Sequence, residues 1–357
     1  MTLRPDLGLG ADEVEAVGAE LDQACRARVL RDVPLGPMTT YRVGGAARLY
    51  LAAESIDDLL AVARIRARSP VPLLVIGKGS NMLVADSGFP GLVISLERVT
   101  GHLVMPTDTP GCRVPVAAGG ERIVRVGSAV ALPVVARRTA AAGLTGFEWA
   151  VGVPGSVGGA VRMNAGGHGS DMASSLVDVR VLDLDVLGQG EPVTVPAADL
   201  GLRFRASSFS PSAVILEARL ALRVGDRSAS EALVADIVRW RREHQPGGQN
   251  CGSVFVNPVP GEVTAGALID ALGLRGLRIG SAWVSEKHAN FVQAATPGAA
   301  SDVRAVIETV RARVFEETGH RLRSEVRMGG FDDVDPTGFD ESIDGDEDIA
   351  VAGEAPQ

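Results

Sequence analysis

Cysteine is scarce in this chain of 357 residues, and the three present, Cys25, Cys112 and Cys251, stand far apart. An odd, scattered set supports neither a disulfide framework nor a metal knuckle, and it fits a reducing cytoplasm. No apolar run approaches the roughly 20 residues that a membrane helix needs, so no membrane span is expected. The stretch Met1–Glu20 carries Asp6, Asp12, Glu13 and Glu15 and lacks an apolar core, which excludes a secretory signal. The histidines His102, His168, His244, His288 and His320 lack the close spacing of zinc ligands, so no metal is expected. There is no G-x-S-x-G elbow, and Val254 stands where the nucleophile would fall if Cys251-Gly252-Ser253 opened a papain-type stretch. No internal repeat is found.

Charge of one sign is concentrated at one end. Residues 331–357 hold ten acidic residues and no basic one, against a net charge of −9 for the whole chain. That tail repels itself and has no periodicity, so it is expected to be a disordered appendage, and removal of residues 335–357 is expected to leave activity unchanged. The body is then near neutral and offers no basic footprint for nucleic acid. What is abundant is apolar: 46% of residues are hydrophobic, enough for a large core.

The pattern changes along the chain. Residues 71–76 (VPLLVI) read as a buried strand, preceded by a helix through Arg68 that Ser55 and Asp58 open as a capping box. Ser128 is expected to cap a helix near 129–142, ended by Gly143. Val177–Leu187 and Val214–Val224 alternate as half-buried strands, and Gly225-Asp226 reads as a domain boundary. Beyond it, Ser230 is expected to cap a helix through about His244, with further helices near 264–272 and 301–318. Short strands are expected at 253–256, 280–284, 290–295 and 324–328, making an α+β unit.

Two glycine-rich stretches stand out. Gly77-Lys78-Gly79-Ser80-Asn81 follows the 71–76 strand directly. It reads either as a tight hairpin turn or as a nest of N–H groups for an anion. It is neither a Walker A loop nor a Rossmann fingerprint, because Met82 occupies the third glycine position and Leu83-Val84 continues as a strand. Gly152–Gly169 interleaves glycine with Val153, Pro154, Val157, Val161 and Met163, which suits an ordered wall against a flat ligand better than a linker. Two such loops suggest a dinucleotide. Arg205 reads as a surface residue or as a carboxylate or phosphate clamp. Ser253 reads as a turn residue, Glu325 as a strand carboxylate, and His288 as a loop histidine.

The order of these motifs resembles a known family. Tyr41-Arg42-Val43-Gly44-Gly45, Gly77–Val84, Gly152–Ala160 and Met163-Asn164-Ala165-Gly166 look like the flavin domain of the UDP-N-acetylenolpyruvoylglucosamine reductase family. Gly252-Ser253-Val254-Phe255 with Asn257-Pro258, Leu268-Ile269-Asp270, Lys287-His288-Ala289-Asn290-Phe291 and Glu325-Val326-Arg327 look like its substrate domain. The resemblance spans about residues 30 to 330. It implies an α+β fold: a vanillyl-alcohol-oxidase (PCMH)-type FAD-binding domain over 25–225, in subdomains of about 25–97 and 98–225. A smaller α+β substrate-binding domain over 226–330 follows, with 1–24 as an N-terminal extension and 331–357 as the acidic tail.

It further implies a bound FAD, with NADPH as hydride donor and a UDP-sugar enolpyruvyl ether as acceptor, in a monomeric cytoplasmic enzyme of peptidoglycan synthesis. By position, Arg205, Ser253 and Glu325 match the catalytic residues, Ser253 as proton donor. Tyr41, Gly44, Gly77, Lys78, Gly79, Ser80, Asn81, Met82, Val153, Pro154, Gly155, Ser156, Gly158 and Gly159 match the cofactor-binding residues. His244, Asn257 and His288 match substrate-binding positions. The chain departs from the family at Val256, commonly Lys or Arg, at His168, commonly Tyr, and at His244, often Lys. The short segment after Arg205 matches the subclass without an extra tyrosine-bearing loop. Competing readings are another FAD enzyme of this fold that oxidises an alcohol or lactone with oxygen, and a non-catalytic UDP-sugar sensor.

Overall fold

The computed structural model describes residues 10–105, 120–186, 190–259 and 261–331. Cys112 and nearly all of the acidic tail lie outside the described residues.

The first layer pairs α1 (Ala11–Ala24) and α2 (Ile56–Arg66) with a sheet. Its strands β1 (Val29–Pro34), β2 (Ala46–Ala52), β3 (Leu73–Ile76) and β5 (Phe89–Ser95) run in the order β1-β2-β5-β3. Ser55 opens α2 as its spacing predicts: its hydroxyl accepts the Asp58 N–H at 3.2 Å, while Asp58 takes the Ser55 N–H at 3.1 Å. The strand after α2 ends at Ile76, so the first glycine loop hangs from the edge strand β3, and β4 (Met82–Val84) follows that loop.

The second layer is an antiparallel sheet. Its strands are β6 (Leu103–Val104), β7 (Arg122–Gly127), β8 (Leu144–Thr145), β11 (Leu176–Asp183), β12 (Val193–Pro196) and β13 (Ala213–Val224). They run β12-β11-β13-β7-β6, with β8 pairing the end of β13. Between them lie α3 (Leu132–Ala141), α4 (Val157–Arg162) and the hairpin β9 (Gly166–Gly167) with β10 (Ser170–Asp171). Alternation along β13 buries Val214, Leu216, Ala218, Leu220 and Leu222, whereas Val224 at the strand end is exposed.

The third unit holds α5 (Arg227–His244), α6 (Ala265–Ala271), β14 (Arg278–Ile279), β15 (Ala282–Val284), β16 (Val292–Ala294), α7 (Ala300–Thr318) and β17 (Arg327–Gly329). β14, β15 and β16 form a meander covered by Val303, Val306, Ile307, Val310 and Val314 of α7. Asp86, from the first layer, caps α7: its carboxylate accepts the N–H groups of Ala300 at 2.7 Å and Ser301 at 2.9 Å.

Four expectations are corrected. α5 begins at Arg227 with Asp226 as cap, and Ser230 instead donates its hydroxyl to buried Glu148 at 2.6 Å. The same helix packs Val234 and Ile237 into the core of the second sheet. α3 starts at Leu132, and Ser128 shares a hydrogen bond with Thr100 at 3.0 Å. The 253–256 stretch is not a strand but makes a single bridge, Phe255 to Ser324. The last strand covers Arg327–Gly329 and pairs parallel with β4, reaching back across most of the chain.

Candidate active site

The two glycine loops meet face to face. Ser80 Oγ donates to the Pro154 carbonyl at 3.2 Å. A Cβ on Gly77 would lie 2.4 Å from Ser156 Oγ, and one on Gly155, at φ +126°, would lie 2.7 Å from Ser80 Oγ. A side chain at either glycine would displace the serine hydroxyl that faces it. The cleft between them is walled by Ile76, Gly77, Lys78, Glu97, Ser128, Ser156, Gly158, Gly159 and Arg162. Lys78 and Glu97 pair across this wall at 2.9 Å. The backbone N–H groups from Gly77 to Asn81 donate to no other group among the described residues. Such a run of unpartnered donors beside a cleft suits the pyrophosphate of a dinucleotide, so the residues present fit FAD.

The expected cofactor residues fall into two sets. Gly77, Lys78, Ser156, Gly158 and Gly159 line the cleft, with Ser80, Val153, Pro154 and Gly155 in the adjoining loop contact. Tyr41 is fully buried in the core of the third unit, off the cleft. Gly44 and Gly79 lie against backbone: added Cβ atoms would come within 2.4 Å of the Val84 carbonyl and 2.2 Å of the Met38 carbonyl. Met82 lies in β4, which pairs with β17. Asn81 donates its side-chain amide to the Glu325 carbonyl at 2.7 Å and accepts the Arg327 N–H on its own carbonyl at 3.0 Å. The first loop thereby holds the segment carrying Glu325.

The second loop holds Arg205 in the same way. Arg203 and Ala206 exchange backbone hydrogen bonds at 3.0 and 3.1 Å, a tight turn with Arg205 at φ +56°. Such a left-handed residue other than glycine costs on the order of 1 kcal/mol and persists only where its surroundings enforce it. Here buried Asn164 donates to the Arg203 carbonyl at 3.2 Å, and Arg205 Nη2 donates to the Gly166 carbonyl at 3.0 Å. Phe204 lies under the guanidinium, 5.0 Å from its carbon.

So constrained, Arg205 Nε donates to Glu325 Oε2 at 3.1 Å. Burial pushes the Glu325 carboxyl above its ordinary pKa, and the nearby Arg205 charge and hydrogen bond pull it back only in part. The turn that carries Ser253 is tied to the Glu325 segment: the Glu325 N–H donates to the carbonyl of Val254, the next residue, at 2.7 Å.

Each expected substrate residue has its own surroundings. His244, exposed at the end of α5, stacks on Trp240 at 4.7 Å, and His168 from the second loop meets Trp240 edge-on at 5.1 Å. Trp240 was not singled out from the sequence; its signal was an aromatic exposed four residues before His244. Lys287 Nζ donates to the Arg242 carbonyl at 2.7 Å, tying the His288 loop to α5. His288 is half-buried, and burial followed by the Arg275 charge lowers its pKa. Asn257 is less available: its Oδ1 accepts the Ala265 N–H at the start of α6, at 3.1 Å. Among the described residues no helix is long and apolar enough to cross a membrane, and no cluster of His, Cys, Asp and Glu could hold a metal.

Comparison with known proteins agrees with this geometry. Residues 47–194 match the family described as FAD binding domain. Residues 244–329 match the family described as UDP-N-acetylenolpyruvoylglucosamine reductase, C-terminal domain. A reductase of that name from Synechococcus sp. (strain RCC307) is 41% identical over 305 residues, covering 84% of this chain and 94% of the relative. One from Anaeromyxobacter sp. (strain K) is 40% identical over 324 residues, covering 90% and 92%. The crystal structure of UDP-N-acetylenolpyruvylglucosamine reductase from Thermus caldophilus superposes with a TM-score of 0.66 at 32% identity, over 85% of this chain and 98% of that one. With relatives matched over 94% and 98% of their own length, at 41% and 32% identity, the chain belongs to the UDP-N-acetylenolpyruvoylglucosamine reductase family.

Proposed function

We propose that this chain reduces the enolpyruvyl ether of a UDP-N-acetylglucosamine derivative to UDP-N-acetylmuramate with NADPH, as a step of peptidoglycan precursor synthesis. The reading is carried by one observation: Arg205 and Glu325 form a hydrogen-bonded pair beside the Ser253 turn, on segments held by the two glycine loops. FAD, when bound, supplies the hydride chemistry between NADPH and the enolpyruvyl double bond.

The protein's own residues then have distinct tasks. Hydride addition to the enolpyruvyl carbon leaves negative charge delocalised into the substrate carboxylate. The Arg205 guanidinium, fixed in its turn, stabilises that charge where it develops. Glu325, its pKa raised by burial, donates a hydrogen bond to the same carboxylate while protonated. The Ser253 hydroxyl delivers the proton to the neighbouring carbon. Gly77, Lys78, Ser80, Ser156, Gly158 and Gly159 hold the cofactor, with Val153, Pro154 and Gly155 shaping the second loop. Gly44, Gly79, Asn81 and Met82 support that wall from behind. His244 and His288 contact the nucleotide sugar, with Asn257 next to them.

We place the substrate-binding unit over residues 226–330 and assign the enzyme to the cytoplasm as a monomer. The test is anaerobic: NADPH is expected to bleach the bound chromophore, and the UDP-sugar to restore it. Restoration by oxygen alone, with none by the UDP-sugar, favours the oxidase reading instead.

A further inference from the structure

Ser253 sits in a segment pinned at both ends, while its own hydroxyl bonds to no group among the described residues. Upstream, buried Cys251 donates its thiol to the hydroxyl of Tyr41 at 3.3 Å. Between them, Gly252 stands at φ +88° with its N–H on Asn250 Oδ1 at 3.0 Å, a turn that favours glycine. Downstream, Asn290 grips the next two residues. Its Oδ1 accepts the Phe255 N–H at 2.9 Å and its Nδ2 donates to the Phe255 carbonyl at 2.8 Å. Its main-chain carbonyl also accepts the Val254 N–H at 2.9 Å.

Neither gripping residue can touch substrate. Tyr41 has no exposed surface, and Asn290 is 6% exposed, both among apolar neighbours. Their polar groups are spent on the Ser253 segment. A proton delivered to carbon has no strong hydrogen bond to guide it, so the donor's Cα–Cβ direction must be set by the protein.

We propose that Tyr41, acting through Cys251, and Asn290 are positioning residues for the Ser253 hydroxyl, holding its turn from opposite sides. This rests on Ser253 being the proton donor. It gives the buried Tyr41–Cys251 pair and the Lys287–Phe291 motif a task in the protonation step, distinct from binding the cofactor.

The experiment compares holoenzyme variants Tyr41→Phe and Asn290→Ala, each alone and combined with Ser253→Ala. The two rates read are chromophore bleaching by NADPH and its recovery with the UDP-sugar. Amide hydrogen exchange is measured on peptides covering 250–257. Each positioning variant is expected to slow recovery by about tenfold or more, since a misplacement of about 1 Å costs up to about 10²-fold. Bleaching should stay within about twofold, and 250–257 alone should lose protection. In the Ser253→Ala background neither change should slow recovery further.

If Asn290→Ala fails to fold, Tyr41→Phe, which removes one oxygen from a packed ring, decides alone. Recovery and bleaching slowed equally, or effects that add fully to Ser253→Ala, overturn the inference while leaving the proposed reaction intact. Wild-type recovery in Ser253→Ala itself overturns both.

Discussion

Arg205 Nε and Glu325 Oε2 stand 3.1 Å apart, although 120 residues of chain separate them. The pair sits where the glycine loops converge: Gly166 accepts from Arg205, and Asn81 donates to the Glu325 backbone. Each loop thus does two jobs, walling the cleft and fixing one member of the pair.

The first prediction concerns pH. A carboxyl whose folded pKa is raised binds its proton more tightly when folded, so Glu325 contributes stability at acid pH that is lost as pH rises through the folded value. Recovery with the UDP-sugar should therefore fall on the alkaline side as Glu325 ionises. Glu325→Gln cannot titrate and should lose that limb at a lower overall rate. Arg205→Met removes two of the three influences that pull the pKa down, leaving only the Arg323 charge, so the same limb should move to higher pH. A pH profile of recovery checks the direction; a limb that moves to lower pH contradicts it.

Gly77→Ala should lose FAD. Its Cβ would lie 2.4 Å from Ser156 Oγ, so the methyl takes space at the cleft wall and the Ser156 hydroxyl must turn away. The ratio of flavin to protein in purified material should drop, and the Gly77→Ala/Ser156→Gly pair should recover part of it. Full flavin content in the single variant would place the cofactor elsewhere.

Asp86→Ala should destabilise the third unit by about 1 kcal/mol, the usual cost of a lost helix cap. Two N–H donors on α7 outweigh burial and hold its pKa below the ordinary carboxylate value. That stability is present above the unfolded pKa and lost as pH falls through the depressed folded one. Denaturant melts of the variant and parent should therefore converge in acid and differ near neutrality.

Local features were legible before the fold was known. The Ser55–Asp58 box, the alternation of β13 and the helices at Ala265–Ala271 and Ala300–Thr318 follow from spacing within a few residues. Serines misled wherever a distant partner claimed them. Ser230 looks like a cap beside Glu231, yet Glu148, 82 residues upstream, takes its hydroxyl. Ser128 went to Thr100 by the same means. The β17–β4 pairing is a parallel contact between chain segments with no local signature, and it alone explains why the Glu325 segment returns to the first glycine loop. The motif order supplied the candidate site residues, whereas the burial of Tyr41 and the grip of Asn290 required tertiary structure.

The most direct measurement is rapid mixing of purified Ser253→Ala, first with NADPH and then with the UDP-sugar, in the absence of oxygen. Bleaching at a rate close to that of the parent is expected, followed by recovery slowed by about 10²-fold or more, the usual worth of a positioned proton donor. Protein that carries no flavin, or a variant that recovers as fast as the parent, would contradict the account.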